Sequence, residues 1–317
     1  MKKELLGIFL MCAGISYADN VKVLTGENII EHVNETHPIG MALDDLVNNL
    51  SKEGHEITKF FSDERFAIYE DIGINYRSAP EKLTGQQINE KYKEVTEEDI
   101  LEMHAKYSKA INMSKIKSKI PEFIEKYDST LVEFDKDCMP KEIIVGNIGV
   151  ESQFNKNPGG YYAIKALVST VVMNNVNPFL SEAREEYFYN ELKTLLRLNK
   201  KGLVNVFTRS SYAGAIGIPQ FMPNSVEMYV DNHDILNMND AIELVSIYYE
   251  DRKKSDVFKT ILTYNNSSLY MLAVCDIADF VNKEIYDTDS DYFKRALPFV
   301  QKRINTYRAK MREKFKK

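Results

Sequence analysis

No stretch of this chain sustains the alternation of apolar and polar residues that a half-buried β-strand needs, and that constrains its fold more than any other feature. Helical spacing recurs instead. Met41, Ala42, Leu43, Leu46, Val47 and Leu50 have helical spacing, as do Ile100, Leu101, His104 and Tyr107. Gly, Pro and Asn punctuate the pattern at Ser78-Ala79-Pro80, Leu83-Thr84-Gly85, Asn157-Pro158-Gly159-Gly160, Asn177-Pro178 and Met222-Pro223-Asn224. The expectation is a mainly α fold. A chain of 317 residues can bury one large core or two modest ones. With 44% hydrophobic residues, 28% charged residues and three cysteines, it is neither disordered, collagen-like nor a disulfide-dense miniprotein. Its net charge of −6 gives no support to a nucleic-acid binder that works by general electrostatics.

The N-terminus reads as a secretory signal peptide over residues 1–18. Lys2 and Lys3 form a basic start, Leu5–Ile15 is an apolar run, and Ser16-Tyr17-Ala18 puts small residues before a cut. The apolar run is too short to span a bilayer of about 30 Å as a helix. A buried N-terminal helix is the plain structural alternative. Lipid attachment at Cys12 ranks lower, because Met11 stands where a small residue is wanted. Cleavage after Ala18 implies a periplasmic protein. Cys138 and Cys275 then either pair or are buried separately, and separate burial is the simpler expectation. At the other end, Gln301–Lys317 carries eight Lys/Arg and one Glu. That run reads as a solvated helix end; the alternative is weak contact with a membrane or cell-wall polymer.

Much familiar chemistry lacks a sequence basis. His32, His37, His55, His104 and His233 form no HExxH pair and no Cys/His array, so no metal site is expected. There is no Walker loop, no dinucleotide fingerprint around Gly159-Gly160, and no G-x-S-x-G elbow. No cofactor is called for. Acid–base chemistry on an uncharged polymer stays open.

One glutamate is a candidate for it. Pro140 suits a first helical turn, with Asp137 as a cap before it. Ile144, Ile148 and Glu151 then share one helix face, and Glu151 lies at the C-terminal end. Burial raises a carboxyl pKa, and the negative end of the helix dipole adds to it. Such a carboxyl can act as a general acid. From helix position alone, a half-exposed glutamate at a helix end explains the residue as well.

Four blocks in order carry a resemblance. Val145-Gly146-Asn147-Ile148-Gly149-Val150-Glu151-Ser152-Gln153-Phe154 resembles the catalytic-glutamate segment of the lytic murein transglycosylase B family, glycoside hydrolase family 103. Ser211–Ser225, with Gly214, Gly217 and Gln220, resembles its substrate loop. Asp240-Ala241-Ile242, leading to Tyr248, resembles the helix after that loop. Tyr264-Asn265-Asn266-Ser267-Ser268-Leu269-Tyr270 resembles its tyrosine-rich block.

The resemblance, clear over about residues 125–283, implies a lysozyme-like helical catalytic domain over 121–285; the residues on either side read by their own pattern as a helical N-terminal region over 19–120 and a basic helical tail over 286–317. It implies peptidoglycan glycan strands as substrate. Glu151 would be the sole catalytic acid and base, giving 1,6-anhydromuramic acid ends. Ser211, Gln220, Tyr248, Tyr264, Asn265 and Tyr270 would bind substrate. Taken singly, each tyrosine reads as core, Ser211 as a helix cap, and Gly214 and Gly217 as tight turns rather than close approaches to a sugar. The rival readings are a hydrolytic muramidase on the same scaffold and a non-catalytic peptidoglycan-binding scaffold. Relatives can carry an EF-hand-like calcium loop after the substrate loop. Asp231–Asp240 lacks the spacing and the turn glycine such a loop needs.

Overall fold

The computed structural model describes residues 23–25, 38–69, 85–135, 139–175, 182–230 and 232–315. The residues of the expected signal peptide, Asp137, Cys138 and Asp231 lie outside them.

Among the described residues there are twelve α-helices and four short strands. In chain order they are β1 (Val23–Thr25), α1 (Pro38–Lys52), β2 (Ala67–Tyr69), α2 (Gly85–Lys91), α3 (Glu97–Ala110), α4 (Met113–Glu133), α5 (Lys141–Ser152), β3 (Tyr161–Tyr162), α6 (Ala163–Asn175), α7 (Glu182–Lys200), β4 (Arg209–Ser210), α8 (Pro223–Tyr229), α9 (Met238–Asp251), α10 (Val257–Tyr264), α11 (Ser268–Glu284) and α12 (Tyr292–Phe315). β1 pairs antiparallel with β2, and β3 with β4. The fold is mainly α, as the missing strand alternation predicts.

The chain divides into two compact units, each built from two separated segments. One comprises Met1–Ala79 and Asn155–Asn237; the other comprises Pro80–Phe154 and Met238–Lys317. The linear division expected at residues 120 and 285 differs from this. Residue 120 falls inside α4, which continues through Pro121 to Glu133. The units follow packing between distant segments, which composition along the chain does not register.

In the first unit, α6 packs on α7, α1 and β2, and α8 packs on α7. Leu43, Leu46 and Leu50 of α1, the predicted apolar stripe, are buried there with Leu167, Val168 and Leu195.

In the second unit, α5 packs on α4, α9 and α11, and α11 packs on α12. α3 starts at a capping box: the Thr96 side chain accepts from the Asp99 amide, and the Asp99 carboxylate accepts from the Thr96 amide. Cys275 is a buried free thiol in α11.

The basic C-terminal run is solvated on one side only: Lys302, Lys310 and Lys314 are exposed, while Arg308 is buried. Ala296 and Val300 of α12 are fully buried, and the helix packs on α11 and α3. Its arginines hydrogen-bond carbonyls: Arg303 to Asn266, Arg308 to Lys93 and Arg312 to Tyr92. Asn305 both donates to and accepts from the Val95 backbone. Charge count alone does not register that three guanidinium groups of this helix serve as donors to the fold.

Candidate active site

α5 starts one residue after Pro140, which occupies the N-cap. Asp135 accepts from the Lys141 amide at 3.0 Å, satisfying one of the orphan donors of the first turn. Every residue from Ile143 to Ser152 is buried. The helix therefore has no solvent face, and the single apolar stripe expected from Ile144 and Ile148 is replaced by burial all round. Gly146 makes that possible. A Cβ there would lie 2.7 Å from the Val274 carbonyl oxygen, so only glycine lets the α11 backbone come this near.

Glu151 is 2% exposed, so it is not a half-exposed helix end. Neither carboxyl oxygen has a hydrogen-bond partner of good geometry among the described residues. Burial holds its pKa well above the ordinary carboxylate range, and the nearby Tyr270 hydroxyl opposes the rise. No charged side chain contributes to the shift. Directly after it the backbone turns left-handed at three successive residues, Gln153, Phe154 and Asn155, with φ of 50°, 57° and 65°. That conformation costs non-glycine residues about 1–2 kcal/mol each. Phe154 stacking on Phe123 at 4.4 Å and the Gln153 amide on the Ile111 carbonyl hold the first two in place.

Beside Glu151 lies a polar cluster that the sequence reading did not single out. Asn147, fully buried one turn earlier, donates from Nδ2 to the Tyr249 hydroxyl at 2.7 Å and to the Tyr270 hydroxyl at 2.8 Å. Burial raises the Tyr249 pKa, and the charge of Glu151 adds to it. Asn147 carried a signal, since it stands four residues before Glu151. An isolated asparagine in an apolar run gives no sign of its partners, which lie about a hundred positions away.

Tyr248, Tyr264, Asn265 and Tyr270 belong to the same unit as Glu151. Tyr264 packs between Tyr248 and Tyr249, at 4.7 and 5.3 Å between ring centroids. The Tyr248 hydroxyl donates to the Thr263 carbonyl, and the Arg252 guanidinium lies 4.0 Å over its ring. Tyr270 is fully buried, so it presents no open ring face and meets its neighbours through the hydroxyl. Asn265 caps the end of α10 with a buried Nδ2 that has no partner among the described residues.

Ser211 and Gln220 belong to the other unit. Ser211 is buried, and its Oγ accepts from the Ala213 and Ala215 amides at 3.3 and 3.1 Å. It fastens a turn rather than capping a helix. Gln220 donates from Nε2 to the Gly217 carbonyl at 2.8 Å. Gly214 and Gly217 both have positive φ, and a Cβ on either would strike Leu167 or Ile235. Their close approach is to their own core. A cavity of about 360 Å³ in this unit, lined by His55, Lys59, Phe60 and Lys200 among others, holds none of the predicted site residues.

Residues 69–253, more than half of the chain, match the family model of the Transglycosylase SLT domain. The chain belongs to this family. Membrane-bound lytic murein transglycosylase B of Escherichia coli is 34% identical over 119 residues, which span 35% of this chain and 31% of that relative. The soluble lytic transglycosylase SltB1 of Pseudomonas aeruginosa matches in structure with a TM-score of 0.53 at 19% identity, over 76% of this chain and 98% of that one. Escherichia coli lytic transglycosylase Slt35, solved in complex with bulgecin A, matches with a TM-score of 0.52 at 19% identity, over 79% and 94%. At such identities the likeness shows the fold, which is the lysozyme-like helical architecture that the resemblance implies. Among the described residues no helix is long and apolar enough to cross a membrane.

Proposed function

We propose that this chain is a peptidoglycan lytic transglycosylase with Glu151 as its acid and then its base. The observation that carries the proposal is a carboxyl 2% exposed, without a cationic partner and with a raised pKa, in a chain of the SLT transglycosylase family. A carboxyl kept protonated near neutral pH can donate to a leaving oxygen. Glu151 gives its proton to the oxygen bridging N-acetylmuramic acid and N-acetylglucosamine. The C1–O bond breaks and the N-acetylglucosamine leaves with a free hydroxyl. The carboxylate then takes the proton of the muramic acid C6 hydroxyl while that oxygen bonds C1. The product is a 1,6-anhydro ring, no water is consumed, and Glu151 regains its proton. Because the nucleophile is within the substrate, one carboxyl suffices where hydrolases generally use two.

Ser211 and Gln220 are the proposed holders of the substrate N-acetyl and neighbouring groups. Tyr248, Tyr264 and Asn265 are proposed to line the sugar path, and Tyr270 to meet the reacting carboxyl. Residues 1–18 are proposed to direct export into the periplasm, where the polymer lies. Mass spectrometry of sacculi digested by the protein tests the reaction. Anhydromuropeptides are expected. Reducing muramic acid ends would turn the reading to hydrolysis, and no product from a binding-competent protein would turn it to a scaffold.

A further inference from the structure

We propose that Glu191 is a positioning residue for the substrate loop: its buried carboxyl grips Asn224 and so fixes the strained turn that carries Gln220. The inference rests on the reading of Gln220 as a substrate-binding residue.

The need arises at the start of α8. Its N-cap is Met222, whose side chain has no oxygen to offer, and its first residue is Pro223. The first amide of the helix is therefore that of Asn224, and it needs an acceptor from elsewhere. Glu191, 1% exposed in the middle of α7, supplies it. One carboxyl oxygen accepts from the Asn224 backbone amide at 2.8 Å, and the other accepts from Asn224 Nδ2 at 3.0 Å. Thr194, one turn further along α7, donates to Asn224 Oδ1 at 2.6 Å. The amide of Asn224 and both ends of its side chain are thus bound to α7. Farther along the same two helices, the Arg197 guanidinium donates to Glu227 at 2.7 Å and to Thr194 Oγ1 at 2.6 Å. All these groups and the substrate loop lie in one unit.

Gln220 stands four residues before Asn224 with φ of 52°. A residue other than glycine keeps that left-handed conformation only where its surroundings over-determine it. On one side the turn is closed by Ile216 and Phe221, each amide donating to the other's carbonyl at 2.9 and 3.0 Å. On the other side only Phe221, Met222 and Pro223 separate Gln220 from the anchored Asn224. A buried carboxyl is a costly cap for a helix of seven residues, since a serine or threonine at the N-cap would serve. What Glu191 adds is geometry: two bonds from one carboxyl to one residue set direction as well as distance.

The test uses the full chain and exchanges the two partners. Asn224→Asp sets two carboxyls against each other, and Glu191→Gln sets a donor against the donors of Asn224. Each is expected to lower kcat/KM on soluble glycan strands about fivefold, mainly through KM, as loss of one hydrogen bond that places a binding group requires. Glu191→Gln together with Asn224→Asp restores every bond. The glutamine oxygen accepts the backbone amide, its Nε2 donates to one aspartate oxygen, and Thr194 donates to the other. This exchanged pair should recover kcat/KM to within about twofold of the wild type. Glu191→Gln combined with Gln220→Ala should be no weaker than Gln220→Ala alone, because one acts through the other, whereas a purely structural role would add the two losses. All variants are compared at a temperature where circular dichroism shows them folded. Should a single variant fail to fold, the exchanged pair decides. An exchanged pair that stays impaired or does not fold, or losses that add, would overturn the inference. A wild type without turnover, or Gln220→Ala at wild-type kcat/KM, would sink the underlying reading. An impaired Gln220→Ala beside a folded Glu191→Gln with wild-type kcat/KM would sink this inference alone.

Discussion

Replacing Glu151 by Gln tests the state of the buried carboxyl without any substrate. Below pH 4.5, the ordinary value for the side chain, folded and unfolded forms both hold the proton, and the group adds no pH dependence. Above it the unfolded chain releases the proton while the folded carboxyl keeps it. The wild type therefore loses stability as pH rises, until the raised folded pKa is passed. The slope is about 1.4 kcal/mol per pH unit for one proton. Glutamine has no such equilibrium, and the other titrating groups are common to both proteins. The variant should melt progressively higher than the wild type from pH 4.5 upward. Two pH units correspond to about 2.7 kcal/mol, or roughly 5–10 °C in Tm for a compact unit of this size. Scanning calorimetry of both proteins between pH 4.5 and 7.5 measures the difference directly. A Tm difference that stays flat over that range would mean that Glu151 ionises like an exposed carboxyl, and the acid assignment would lose its physical basis.

Gly146→Ala puts a Cβ 2.7 Å from a backbone oxygen that has no rotamer to escape into, so the two helices must part. A loss of about 1–3 kcal/mol is expected, read as a lower urea midpoint at unchanged m-value, and an unchanged midpoint would contradict the close approach. Truncation after Pro298 deletes Val300 and the three arginines that bind the carbonyls of Asn266, Lys93 and Tyr92. The second unit should then lose its cooperative unfolding and its slow amide exchange; retention of both would restore the reading of the tail as a solvated appendage.

Helices are the legible part of this chain, because their period depends only on local order. Leu43, Leu46 and Leu50 announce α1 and are buried in it. The environment of Glu151 was only half legible. Its place near a helix C-terminus follows from spacing, but Asn147 looks like a residue for water. Its burial depends on Tyr249 and Tyr270, which arrive from α9 and α11, and no local pattern encodes them. Tyr270 resembles a cleft tyrosine in sequence, yet full burial leaves only its hydroxyl to act. The basic tail misleads for a related reason. A guanidinium that donates to a backbone carbonyl is indistinguishable in sequence from one that faces solvent.

The interleaving of segments has a consequence for the order in which the molecule is completed. The first unit has all its chain once residue 237 has been made, whereas the second waits for residues 238–317. At about 5–20 residues per second, that interval is roughly 4–16 s. Within it α9 is complete only at Asp251 and α11 only at Glu284, and until then α5 lacks the helices that bury its polar cluster. Burial of the proposed acid therefore waits on helices that are made well after α5 itself.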